Sequence, residues 1–211
     1  MHLEVLPPGG DAVLSSLTES GFLDGFYLAG GTALALQLGH RRSVDLDWFT
    51  PEPFDPGRLL ADLRGLGELT VIQEVPGTLH LVLWDVRVSF FHYPHPLVEP
   101  LVETDLCRLA GCVDIGLMKI TAISNRGSKK DFYDLYQIAL RVMPLQDLFR
   151  RLPEKYPRIR YSTYHLLRSL AYFDDADQEP EPMLIEPLAW DEVKEFFRRA
   201  QREMMRRYEP K

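Results

Sequence analysis

Asp45 and Asp47 in SVDLDWF (residues 43–49), and Gly30 and Gly31 in FYLAGGTALALQLGH (residues 26–40), are the residue pairs best suited to chemistry. In an extended strand, side chains two residues apart leave the same face, with Cα atoms about 7 Å apart. Two carboxylates placed this way repel each other unless a cation neutralises them. Hard oxygen donors suit Mg²⁺, which takes one or two protein carboxylates and fills its shell with phosphate oxygens and water. Solvated aspartates on an edge strand would carry the same spacing. Leu46, Trp48 and Phe49, large and apolar, argue instead for a strand inside the fold.

The glycines add a second chemistry. FYLAGG reads as a short buried strand that feeds a helix, TALALQLGH, closed by Gly39. Backbone N–H groups at such a helix start, backed by the positive end of its dipole, bind anions. Glycine lets a phosphate approach the backbone closely. Thr32 is placed either to cap the helix or to touch the phosphate, and a tight turn would use the same glycines. A phosphate site and a metal site on consecutive elements together read as a pocket for a metal-bound nucleoside triphosphate.

The elements that must position these groups follow from periodicity. Residues 11–21 read as a helix. SVDLDWF alternates as a strand, with Val44, Leu46 and Trp48 on one face and Ser43, Asp45 and Asp47 on the other. PEPFDPGRLLADLRGLG is a proline-led turn and an amphipathic helix burying Leu59, Leu60 and Leu63. TVIQEV, LHLVLWD and VRVSFFHY read as strands separated by Pro76-Gly77 and a tight turn near Asp85. From Val113 the pattern is helical: 113–126, 128–142, 145–152, 161–173 and 190–207. The acidic, proline-rich stretch 174–187 between them is expected to be a long surface loop. The chain therefore divides into an α/β part, residues 1–110, and a helical part, residues 111–211. The fold class is α+β, with a mixed sheet and flanking helices.

Composition bounds the setting. In 211 residues, 45% are apolar and no run approaches the roughly 20 needed to cross a bilayer. The N-terminal MHLEVLPPGGD lacks the form of a secretion signal. Cys107 and Cys112, with no second pair, suit a reducing cytoplasm and are expected in the core. The formal charge is −7, yet residues 141–168 carry seven basic and two acidic residues, so local contact with a polyanion is open.

With these motifs in view, GGTALALQLGHRRSVDLDWF resembles motif one of the nucleotidyltransferase superfamily, and in its wording the AbiEii/AbiGii toxin family. A second signature is similar to that family's, KITAISNRGSKKDFYDL from Lys119 to Leu135, and the resemblance spans about residues 22–140. It implies a nucleotidyltransferase-like fold and Mg²⁺-dependent transfer of a nucleoside monophosphate from an NTP to an acceptor. For related toxins the acceptor is the 3′ end of tRNA, and a neighbouring antitoxin protein is the implied partner. Asp45 and Asp47 would hold the metal. Gly30, Gly31 and Thr32 or Ser43 would cradle phosphate, Lys119 would bind the triphosphate, and Arg126 and Asp134 would support it.

Read physically, Lys119 and Arg126 are two helical turns apart and share a face. Ser128-x-x-Asp131 has the form of a capping box, which would make Asp131 structural. Asp134 shares a face with Asp131, and either Arg126 or Lys119 is its natural partner; a structural bridge between two helices remains the competing reading. The match breaks at one point. The superfamily typically takes a third carboxylate from a later strand, and in VRVSFF that place falls to Ser89, with Asp85 nearby at a turn. One Mg²⁺ is therefore expected rather than two. The gap leaves two rival readings open, a nucleotide-binding module without catalysis and a phosphotransferase. His92 and His95 read as structural or surface residues. His40, Arg41 and Arg42, near the pocket, could touch phosphate, though they read first as solvated loop residues. YPRIRYSTYHLLR (156–168) could stack bases and bind backbone phosphates, or form an amphipathic core helix.

Overall fold

The computed structural model describes residues 1–206, and the chain falls into two compact units, Met1–Gly111 and a second from Cys112 onward. Among the described residues all strands lie in the first: β1 Tyr27–Ala29, β2 Asp45–Thr50, β3 Leu69–Val75, β4 Thr78–Leu83, β5 Val86–His92, β6 Val102–Glu103 and β7 Arg108–Leu109. They form one mixed sheet in the order β3-β4-β5-β2-β1-β7-β6. The β2–β5 and β1–β7 pairs are parallel and the others antiparallel. Helices α1 Gly10–Glu19, α2 Gly30–Leu38 and α3 Pro56–Leu63 complete this unit.

Alternation decides the faces of the central strands. Leu46 and Trp48 of β2, Leu79, Leu81 and Leu83 of β4, and Val86, Val88 and Phe90 of β5 are all buried. Helix α3 packs on β3 and β4 and buries Leu59, Leu60 and Leu63. Its start is fixed locally: Pro56 fits the first turn, and the Asp55 carboxylate accepts from the Gly57 and Arg58 N–H groups at 2.9 and 3.4 Å. The β4–β5 turn places Trp84 and Asp85 at φ of 49° and 65°, the left-handed pair that suits the twist of a two-residue hairpin.

Several expectations are corrected. Val44 lies before β2 and is 45% exposed, so it is not a core residue. β6 and β7 were not legible, because two-residue strands in a proline-dotted stretch carry no period. Neither cysteine is in a disulfide, and both are half-buried rather than core. Burial nevertheless raises the Cys107 thiol to about 12.

The second unit is helical: α4 Cys112–Arg126, α5 Lys129–Arg141, α6 Leu145–Lys155, α7 Thr163–Ser169, α8 Asp174–Gln178 and α9 Trp190–Met205. Residue 207, the expected end of the last helix, lies outside the described residues. Gly116 lets α4 approach its neighbours, since a Cβ there would lie 3.2 Å from Ile138 and 3.3 Å from Leu148. Phe132, Phe173, Trp190 and Phe197 meet with centroid separations of 5.1 to 5.8 Å. Beside this apolar packing lies an ion pair, Lys155 Nζ to Asp114 Oδ1 at 2.7 Å, with both side chains fully buried.

The acidic stretch 174–187 is not a plain surface loop. It opens with α8, and its acids bind back onto α5. Glu179 accepts from the Ser128 hydroxyl and the Lys129 N–H, both at 2.8 Å, placing a carboxylate at the positive end of that helix. Glu181 accepts from Tyr133 at 2.7 Å and pairs with Lys129 at 3.2 Å. The Trp190 indole donates to Asp177 at 2.6 Å.

Candidate functional site

Strand β2 turns Asp45, Asp47 and Phe49 to one side, each half-buried, and Leu46, Trp48 and Thr50 to the buried side. The ladders set Asp47 between Ala29 of β1 and Ser89 of β5, and Asp45 beside Arg87. Gly30, which follows Ala29, has φ +66°, and a Cβ built on it would stand 2.9 Å from Asp47 Oδ2. The Asp47 carboxylate thus rests over the first residue of α2, where only glycine leaves it room. That helix begins on Ala29 in extended conformation, with no side-chain cap, so its leading N–H groups suit an anionic acceptor.

Thr32 and Ser43 are both buried. Their hydroxyls are hydrogen-bonded at 2.7 Å, and the Thr32 hydroxyl also meets the Asp45 carbonyl. These bonds tie the first turn of α2 to the start of β2 and so fix the carboxylate pair relative to the helix. His40 and Arg41 are also buried, against the expectation of a solvated loop, and Arg41 Nη1 donates to the Arg42 carbonyl at 2.9 Å. Arg42 itself is exposed.

The donor set fits a single Mg²⁺. It offers two hard carboxylates from one strand face, one of them seated over Gly30. Among the described residues no group of three or more His, Cys, Asp or Glu could hold a metal ion. Ser89 occupies the strand position beside Asp47, and Asp85 lies in the hairpin turn outside β5. Sequence reasoning missed one neighbour of this row. His80, opposite Ser89 on β4, has its Nδ1 hydrogen-bonded to Ser89 Oγ at 2.9 Å. Alternation in LHLVLWD does place His80 away from the core leucines; the ladder register supplies the partner. His92 packs on Gly77 and His95 edges onto the Tyr93 ring at 4.6 Å.

In the helical unit, Lys119 of α4 reaches two carboxylates of α5, with its Nζ 2.6 Å from Asp131 Oδ1 and 2.6 Å from Asp134 Oδ2. Lys119 is 5% exposed and both acids are fully buried. Arg126 grips Asp131 with two bonds, Nε at 2.8 Å and Nη2 at 3.0 Å. The shared face of Lys119 and Arg126 is thus read correctly, but the capping box is not. Asp131 spends its oxygens on the two cations, and Glu179 binds Ser128 and the Lys129 N–H in its stead. Burial alone would raise the Asp131 pKa; the Lys119 charge and the Arg126 hydrogen bond outweigh it and hold the carboxyl below its ordinary value. Of the 156–168 segment, Tyr156, Leu166 and Leu167 are buried, while Arg158, Arg160, Tyr164 and Arg168 are exposed, the last 5.9 Å over the Tyr164 ring.

Residues 12–80, which hold the glycine pair and both aspartates, match the family described as nucleotidyl transferase AbiEii toxin, type IV toxin–antitoxin system. The chain belongs to the AbiEii nucleotidyltransferase toxin family. An uncharacterised protein of Aquifex aeolicus is 41% identical over 197 residues, covering 91% of this chain and 94% of the relative. Solved structures of similar fold share less of the sequence. JHP933 from Helicobacter pylori shares 15% identity with a TM-score of 0.52, covering 94% of this chain and 93% of its own. MenT4, a nucleotidyltransferase toxin from Mycobacterium tuberculosis, shares 18% identity at a TM-score of 0.52, covering 90% and 83%. These two likenesses concern the fold, which is the nucleotidyltransferase one.

Proposed function

We propose that this member of the AbiEii family is an Mg²⁺-dependent nucleotidyltransferase that moves a nucleoside monophosphate from an NTP to the 3′ end of a tRNA. We propose further that it acts in the cytoplasm as the toxin of a pair with a cognate antitoxin. The observation that carries the reading is the seat of the Asp47 carboxylate over Gly30, which brings a metal donor against the uncapped start of a helix. In this reading Asp45 and Asp47 hold the ion, which supplies charge to the triphosphate oxygens. Gly30 and Gly31 admit the phosphates to backbone N–H groups. Lys119, buried and paired with Asp131 and Asp134, joins α4 to α5 within the helical unit. Catalysis would then be positioning and electrostatic stabilisation.

Ser89, in the third-acid position, favours one rival reading, a nucleotide-binding module without transfer. Incubation with each NTP, labelled at the α or the γ phosphate, in the presence of total tRNA separates the cases. Label in RNA from the α position is the expected result. Label from the γ position alone would make the protein a phosphotransferase, and binding without either would make it a module. Asp47→Ala should abolish transfer, and full activity in that variant would misplace the site.

A further inference from the structure

The ladder that puts Ser89 beside Asp47 also puts His80 opposite Ser89, so three polar side chains cross the sheet in one row, Asp47, Ser89, His80. The last two are joined at 2.9 Å. The His80 ring is held edge-on to Phe91, with centroids 5.2 Å apart, and all three polar residues are half-buried. A serine hydroxyl alone is a poor proton acceptor, but a hydroxyl hydrogen-bonded to an imidazole nitrogen is the arrangement that activates nucleophiles and relays protons.

We propose that Ser89 and His80 together take the place of the missing third carboxylate, with Ser89 as the group that receives the attacking hydroxyl and His80 as its positioning residue and proton sink. The inference rests on the nucleotidyl-transfer reading. In the step, the acceptor O–H bond breaks and a new bond forms from that oxygen to the α-phosphorus. The bond from the α-phosphorus to the bridging oxygen breaks, and pyrophosphate leaves with its electron pair. The acceptor proton passes to Ser89 Oγ as the Ser89 proton passes to His80 Nδ1, in the tautomer with Nδ1 unprotonated.

The test uses the full chain with Mg²⁺, α-labelled NTPs and total tRNA. His80→Ala should lower kcat for transfer about 100-fold, within the range of a general base. KM and the directly measured NTP Kd should stay unchanged, a split that a structural role would not give. Ser89→Asp added to His80→Ala should recover about tenfold or more of the lost rate, because a carboxylate then meets the hydroxyl without a relay. Transfer by His80→Ala within about threefold of wild type, loss of NTP binding in that variant, or a double variant no faster than the single overturns the relay. A nucleotide adduct on Ser89, seen by mass spectrometry, overturns it too, since Ser89 would then be the nucleophile. A wild type that transfers no label, with Asp47→Ala indistinguishable from it, overturns the transfer reading itself and the relay with it. A failure of the relay alone leaves wild-type transfer intact and dependent on Asp47.

Discussion

A single methyl group is enough to test the site at the residue scale. Gly30→Ala would force alanine to a positive φ, which costs about 1–2 kcal/mol, and would press its Cβ to 2.9 Å from Asp47 Oδ2. The expected outcome is a modest drop in the urea midpoint with near-complete loss of transfer; a variant that destabilises but transfers normally would detach the glycine from the chemistry. Asp131 gives a pH signature. Its folded-state pKa is held below the ordinary value, so its contribution to stability is present above about pH 4 and is lost as pH falls through the folded value. The stability gap between wild type and Asp131→Asn should stay constant from pH 7 to about 4 and close below that. A gap that already closes near neutrality would contradict the pairing with Lys119 and Arg126. Much of this site was legible in the sequence. Asp45, Asp47 and the glycine pair lie close together along the chain, and the i, i+2 spacing sets the two carboxylates on one face. The Ser89–His80 bond was not legible, because it depends on the register of β4 against β5, which alternation alone does not set.

At the scale of elements, the buried pair of Lys155 on α6 and Asp114 on α4 has the largest predicted energetic effect. Asp114→Ala leaves a fully buried ammonium without its 2.7 Å partner, and breaking a buried pair costs about 3–5 kcal/mol. Replacing both residues, Asp114→Leu with Lys155→Met, should restore most of that, since apolar substitutes for buried pairs are close to neutral or better. Chemical denaturation of the two variants checks this, and an equal loss in both would mean the pair does more than neutralise itself. The elements with strong periodicity, β2, β4, β5, α3, α4 and α5, were legible because one face of each meets a core. Those set by long-range partners were not. The capping of α5 by Glu179, some fifty residues away in sequence, silenced a local Ser-x-x-Asp signal, and the acidic stretch read as solvated because its partners Ser128, Lys129 and Tyr133 are equally distant along the chain.

For the whole molecule, the division at Gly111 and Cys112 assigns the carboxylate pair to one compact unit and the Lys119 cluster to the other. Charge follows a different division: residues 1–140 carry 10 basic and 18 acidic residues and residues 141–211 carry 14 and 13, and exposed Arg158, Arg160 and Arg168 keep part of the helical unit basic. The three tryptophans respect the structural division. Trp48 is buried in the sheet unit and Trp84 is at its hairpin, while Trp190 sits within the helical unit, 5.5 Å from the Lys129 ammonium and bonded to Asp177. With Trp48→Phe and Trp84→Phe, all indole emission comes from Trp190, so its fluorescence reports on the helical half alone. Melting curves from that variant and from Trp190→Phe should coincide if the halves unfold as one and separate if they do not. The distribution of one fluorophore type gives the chain an optical label on each side of residue 111.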